Sequence, residues 1–244
     1  MFTHYRTKAL VLKKKDRGEG DQLFTLYTQK FGKIEVLGRG IRKITSKLKS
    51  GVEIFYLSEV EFIQGKGYKT LTDAIVLEKF QDLRSSLAKL KTTYRAAETV
   101  DRFIKGEEKD ERIWRILLEF FYSLDGQRVS IKEPKLLLFY FLWHFFVNLG
   151  YEFQIYNCAI CERKLAPGKL FLNSESGGVI CENCTQSAKG SRHADLDIIK
   201  ILKLISKKDK TILNKLKTET INFKELGVFF DYFLTYLPAE AENK

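Results

Sequence analysis

Histidine is scarce in this chain. The three present, His4, His144 and His193, sit in no HExxH or cysteine-histidine nucleophile pattern, which leaves the common metalloprotease and thiol-protease chemistries without their residues. His144 falls inside the most apolar stretch, where a hydrogen-bonded core histidine is the plain reading. Phosphate loops are missing as well. Gly18-Glu19-Gly20-Asp21 has the look of one but lacks the GK[ST] ending and a following helix, so it reads as a turn. Gly38-Arg39-Gly40 opens no GxGxxG fingerprint. No paired carboxylates stand out. The densest apolar run, Leu136 to Val147, is interrupted by His144 and falls short of the roughly 20 residues that a membrane-spanning helix needs. Lys13, Lys14 and Lys15 follow the short apolar run Ala9 to Leu12 directly, unlike a secretory signal. The expectation is a cytoplasmic, non-enzymatic protein without a membrane partner. No internal repeat or low-complexity segment appears.

Cysteine is also scarce, but its placement is informative. All four lie between Asn157 and Cys184, as Cys158-x2-Cys161, nineteen intervening residues, and Cys181-x2-Cys184. Each CxxC knuckle can present two thiolates to one tetrahedral ion, and the interval suits a hairpin that returns the second knuckle to the first. Disulfides or four unrelated buried thiols are the competing readings. The spacing and the absence of a secretory signal favour one structural zinc per chain held by Cys158, Cys161, Cys181 and Cys184. Four thiolates fill the coordination shell and leave no position for water or substrate, so the metal staples structure.

Charge of one sign is in excess. The net charge is +11 and the isoelectric point is near 9.3, which favours a polyanionic partner. Residues 1 to 50 carry 13 Lys/Arg against 4 Asp/Glu, and residues 189 to 217 carry 9 against 3, so two basic stretches sit on a mildly acidic body. The loop with Arg39, Arg42, Lys43, Lys47 and Lys49 interleaves its cations with Ile41, Ile44 and Leu48. Together with Lys13, Lys14, Lys15, Arg17 and Lys33 it can track a phosphate backbone, with Tyr27, Tyr56 and Tyr68 as candidate stacking residues. The bland alternative is a solvated loop over a core of aromatics. In the second stretch Lys200, Lys203, Lys207 and Lys208 are candidates for partner binding, with a solvated helix face as the alternative.

The hydrophobic period divides the chain. Short β-type runs predict strands over Thr7–Lys14, Gln22–Thr28, Lys33–Leu37, Val52–Gln64 and Tyr68–Leu77. Five strands with a long basic connection between the third and fourth point to a small OB-fold barrel, with an SH3-like barrel as the rival. After Lys79 the period becomes helical. Phe80, Leu83, Leu87, Leu90, Tyr94 and Ala97 trace one helix face, and Ile113, Leu117, Phe120 and Leu124 trace a second. A third, nearly all-apolar helix opens at Pro134 and ends at Gly150. Leu196, Ile199, Leu202 and Ile205 mark a fourth, and Phe223 to Leu237 the last, before Pro238. The fold class expected is α+β multidomain: an OB-fold DNA-binding domain over residues 1–79, then an all-α domain over 80–244 with the zinc element 157–185 inserted.

The order of these elements carries a resemblance. The amino-terminal run has a strand ending in lysine, then the turn Gly18-Glu19-Gly20-Asp21, then Thr28 with Gly32 and Lys33, then Gly40, Arg42 and Ser46. It resembles the signature of the RecO family of recombinational repair proteins, and the sequence of barrel, helices and four-cysteine element is similar throughout. The resemblance implies a protein without enzymatic turnover that binds single- and double-stranded DNA, anneals complementary strands and helps load recombinase onto coated single strands. It further implies partnership with RecR, with the tail of single-stranded DNA-binding protein and, indirectly, with RecA, and a nucleoid-associated location. The competing class is a zinc-ribbon nucleic-acid-processing enzyme or an RNA-binding factor, which would require a carboxylate cluster or an open metal position.

Overall fold

The computed structural model describes residues 3–65, 67–126 and 133–241. They fall into two compact units, Met1–Ser130 and Ile131–Lys244.

In the first unit, alternating apolar residues close a five-stranded barrel. Its strands are β1 (His4–Arg17), β2 (Asp21–Thr28), β3 (Gly32–Gly38), β4 (Leu57–Ile63) and β5 (Lys69–Glu78). They run in the order β1-β2-β3-β5-β4, and β4 pairs back onto β1. All pairs are antiparallel except β3 with β5, which meet in parallel at Val36↔Lys69 and Leu37↔Thr70. This is the OB-fold arrangement. Pairs two residues apart, Phe24/Leu26, Ile34/Val36 and Val60/Phe62, point inward and are 1% exposed or less, as a period of two on a one-sided sheet requires.

The fourth strand is shorter than the apolar run Val52–Gln64 predicts. Residues 52 to 56 form a turn instead, fastened to β1 where its register shifts between Val11 and Lys13. The Phe55 N–H donates to the Val11 carbonyl at 2.8 Å, and the Val11 N–H donates to the Tyr56 carbonyl at 3.1 Å. Phe55 itself adopts a left-handed backbone, φ 65°, which turns its ring out of the barrel onto Tyr94 and Phe121.

Two helices complete this unit, α1 (Leu87–Phe103) and α2 (Glu111–Leu124). The predicted stripe beginning at Phe80 is corrected in two respects. Phe80 has φ 49° and precedes a separate 3₁₀ turn, Gln81–Arg84, so the helix starts only at Leu87. The buried face is built from Thr92, Thr93, Ala96, Ala97 and Val100, whereas Leu87 is 66% exposed. Small side chains let the helix axis approach its neighbours more closely than a leucine ridge would. At the start of α2 the Asp110 carboxylate accepts from the backbone N–H groups of Arg112 and Ile113, a cap worth about 1 kcal/mol. The predicted stripe of α2 holds: Ile113, Leu117, Phe120 and Leu124 are all buried.

The second unit is built around α3 (Pro134–Asn148), with Pro134 in its first turn. Its apolar residues are buried nearly all round, consistent with the continuous run. Phe139 stacks on Phe230 of α5 (Phe223–Ala241) with ring centroids 5.0 Å apart. His144 is half-buried and hydrogen-bonds through Nε2 to the Ile205 carbonyl at the end of α4 (Leu196–Ile205), 3.1 Å away. Helix α5 continues past Pro238 to Ala241 rather than ending at Leu237. A three-stranded sheet lies between α3 and α4, made of β6 (Leu170–Asn173), β7 (Gly178–Cys181) and β8 (Arg192–Ala194), in the order β7-β6-β8. Among the described residues no helix is long and apolar enough to cross a membrane.

Candidate nucleic-acid interface and metal centre

Register gathers most of the predicted cations at one end of the barrel. Gln22 pairs with Asp16 on one side and with Gly38 on the other, so the β1–β2 turn and the root of the Gly38–Gly51 loop are neighbours. Lys15, Arg17, Arg39, Arg42, Lys43, Lys47 and Lys49 are all exposed there. The loop is tied down at its root. Asp21 Oδ1 accepts from the Gly40 N–H at 2.7 Å, and the Arg42 N–H donates to the Gly20 carbonyl at 3.0 Å. The Arg42 guanidinium reaches the Gly18 carbonyl and the Asp16 carboxylate, each at 3.4 Å. Gly40 takes φ 60°, a conformation that suits glycine and lets the chain reverse here. Ile41 is 1% exposed in the barrel core and Leu48 packs against that core, so both shoulders of the loop are anchored. Arg17 lies over the Tyr68 ring at 4.2 Å, joining the β1–β2 turn to the entry of β5.

Three predicted cations have local partners instead. Lys33 is at the far end of β3, opposite Tyr27, and five residues from Gly38 is about 17 Å along a strand. Its ammonium binds the Asp101 carboxylate at 3.1 Å and its side chain is only 17% exposed. Lys13 reaches the same carboxylate at 3.4 Å, and Lys14 pairs with Glu53. The carboxyl of Glu53 is held below the ordinary carboxylate range; burial opposes this, and hydrogen bonds from Lys14 and the Ile54 N–H outweigh it.

The aromatics divide in the same way. Tyr27 is 1% exposed and stacked on Trp114 of α2, so it cannot receive a base. Burial, with the Asp110 carboxylate nearby, pushes its phenol well above the ordinary value. Helices α1 and α2 therefore cover the outer face of β2 and β3 at the Tyr27–Lys33 end. Tyr56 is half-buried beneath Arg84. Tyr68, 38% exposed, is the one of the three at the basic end. Sequence reasoning could not separate these tyrosines, because exposure depends on where the helices dock.

The four cysteines converge. Their sulfurs all lie within 4.8 Å of one another, with Cys161–Cys181 at 3.9 Å and Cys181–Cys184 at 3.6 Å. Metal–sulfur bonds of about 2.3 Å in a tetrahedron set sulfurs about 3.8 Å apart, so the thiol geometry fits one tetrahedral ion and excludes disulfides. The intervening chain forms the expected hairpin, β6 on β7. The sheet takes its third strand, β8, from beyond the cysteine stretch. Donors surround the sulfurs. The Arg163 Nε–H donates to Cys161 Sγ at 3.4 Å, the principal reason this thiol is drawn down to about 6. The Cys181 N–H donates to Cys158 Sγ, also at 3.4 Å. Burial and the neighbouring sulfurs push the Cys184 thiol up to about 12. No other group of three or more potential ligands is assembled among the described residues.

The second basic stretch lies along and after α4. Lys200 pairs with Asp197 at 2.8 Å, Lys203 stands over the Tyr156 ring at 5.3 Å, and Lys207 and Lys208 are exposed beyond the helix end.

These features define a multidomain OB-fold protein with a four-cysteine element whose geometry suits a metal ion. The sequence matches the family described as Recombination protein O N terminal over residues 1–80 and that described as Recombination protein O C terminal over residues 84–240. It is 30% identical over 222 residues to the DNA repair protein RecO of Dehalococcoides mccartyi, covering 91% of this chain and 86% of that one. It is 25% identical over 240 residues to the DNA repair protein RecO of a Thermoanaerobacter species, covering 98% and 95%. The chain belongs to the RecO family of DNA repair proteins.

Proposed function

We propose that the protein binds single- and double-stranded DNA without turnover, anneals complementary strands and assists recombinase loading on coated single strands. The observation that carries this reading is the anchored loop at the barrel end, which holds Arg39, Lys43, Lys47 and Lys49 exposed with no ion pair among the described residues. Phosphates would lie along this loop and across Lys15 and Arg17. Residues 1–79 then form the DNA-binding part and 80–244 the helical part. Zinc is the ion we assign to the four thiolates, since a tetrahedral set of four sulfurs suits zinc or iron and two CxxC knuckles separated by a hairpin are a zinc-binding spacing. When bound, it supplies cross-linking of the two knuckles. The second basic stretch, around Lys200, Lys203, Lys207 and Lys208, would take the acidic tail of single-stranded DNA-binding protein. RecR is a further partner and RecA an indirect one.

Counterion release tests the carrying observation. Each single-strand phosphate contact steepens the log affinity against log salt plot by about 0.7. Arg39→Ala, Lys43→Ala and Lys47→Ala combined are expected to reduce the slope by about 2. Arg42 is left in place because it ties the loop root. An unchanged slope would remove this loop from the interface.

A further inference from the structure

Three apolar side chains interrupt the cations of the loop, and the fold uses only two of them. Ile41 enters the barrel core and Leu48 packs on it from the other shoulder. Ile44, between them, is 99% exposed, while the next most exposed large hydrophobic residue among those described is Leu87 at 66%. The loop apex is also structured. The Lys43 N–H donates to the Gly40 carbonyl at 3.1 Å, and the Ser46 N–H to the Lys43 carbonyl at 3.0 Å, so two successive turns hold Ile44 outward. Exposed cations flank it along the loop, Arg42 and Lys43 before it and Lys47 and Lys49 after it.

An apolar group flanked by cations is complementary to a strand whose phosphates alternate with flat, weakly hydrated bases. We infer that Ile44 is the loop's base contact: phosphates rest on the flanking cations while the isoleucine packs against, or wedges between, the bases of single-stranded DNA. This rests on the phosphate-binding reading of the loop and adds to it a non-ionic contact. A β-branched side chain is stiff and loses little freedom on contact. Apolar side chains wedge between base steps even of duplex DNA at a cost in unstacking, and the base faces of single strands accept contacts irrespective of sequence without that cost. In an intact duplex the faces are stacked on one another, so the contact favours unpaired strands.

The test compares an oligothymidylate with an abasic oligonucleotide of equal length, both followed by fluorescence anisotropy at fixed salt. The parent protein is expected to bind the thymidylate about tenfold more tightly, about 1.4 kcal/mol. Ile44→Ser should bring the two affinities together by weakening only the thymidylate, leave the salt slope unchanged, and leave melting unchanged because the side chain touches no core. Ile44→Phe should restore the preference. Equal weakening on both oligonucleotides, no weakening on either, or an equal loss on duplex DNA overturns the inference while leaving phosphate binding intact. If the parent shows no salt-dependent binding, the phosphate reading itself fails and the inference falls with it.

Discussion

Gly32 is the residue whose replacement should expose how the barrel is held to its helices. It stands at φ +62°, between Thr28 and Lys33 of the family-like segment. A Cβ built there would lie 2.2 Å from the Glu108 carbonyl oxygen and 2.7 Å from its carbon, both backbone atoms that no rotamer change can withdraw. Gly32→Ala then carries two penalties. The left-handed backbone costs roughly 1–2 kcal/mol for a residue with a Cβ, and forcing atoms into a packed site costs about 1–3 kcal/mol more. The expected loss is about 2–5 kcal/mol against a total stability of order 5–15 kcal/mol. With a urea slope of about 1–3 kcal/mol per molar, the midpoint should fall by about 1 M or more. Gly32→Asn separates the two terms, since asparagine tolerates the left-handed region but keeps the clash. A midpoint within about 0.3 M of the parent for Gly32→Ala would refute the close approach. If Asn proves much milder than Ala, conformation rather than contact dominates.

Lys33→Met should lower the urea midpoint of the barrel unit and leave the DNA salt slope unchanged, because its charge is already matched by Asp101; a slope lower by about 0.7 would place Lys33 on DNA. Removal of metal by chelation, or Cys181→Ser, should unfold the cysteine element while the barrel's transition stays put; unchanged near-ultraviolet dichroism after verified metal loss would contradict this. Glu162 sits at φ 60° immediately after the first knuckle, so Glu162→Gly should raise the resistance of that element to chelator by about 1 kcal/mol, and a lower melting temperature would argue against it. Glu53 has its carboxyl lowered in the fold, so its contribution is present above the ordinary carboxylate value and is lost as pH falls through the folded value. The stability gap between parent and Glu53→Gln should therefore narrow as pH falls through and below the ordinary carboxylate value, and a constant gap would show that Glu53 acts only through packing.

Much of the fold was legible because the barrel strands obey a period of two and each is closed by glycine or charge. Two of the misjudged pieces share one physical cause, which is tertiary contact overriding a local pattern. Val52 to Gln64 alternates well enough for one strand, yet Phe55 leaves it to pack on Tyr94 and Phe121, which no local rule anticipates. Phe80 and Leu83 match a helical stripe, yet the Leu83 N–H donates to Asp125 Oδ1 at 3.1 Å across 42 residues, and a separate turn results. The small-residue face of α1 was hidden for the opposite reason. Threonine and alanine register weakly on any hydrophobic scale, although close packing is what they permit. The cysteine element was the most legible part, since two CxxC knuckles leave few geometries in which four thiolates can meet.

The candidate interface was legible as a charge density but not as an arrangement, and the difference bears on what the family signature encodes. Of its residues, Thr28 accepts from the Phe31 N–H at 2.9 Å and donates to the Gly32 carbonyl at 3.0 Å, and Gly32 lies against Glu108. Lys33 completes the same junction through Asp101. None of these faces the basic end. Asp21, Gly40 and Arg42 work instead on the loop root, fixing by backbone hydrogen bonds where the neighbouring cations stand. The signature thus specifies a scaffold, and the charges it positions, Arg39, Lys43, Lys47 and Lys49, lie outside it. Counterion release depends on the number and spacing of cations rather than on their identity. For the phosphate-binding role we propose, such a loop can exchange individual lysines and arginines freely, provided that its anchors at Asp21, Ile41 and Leu48 stay where they are.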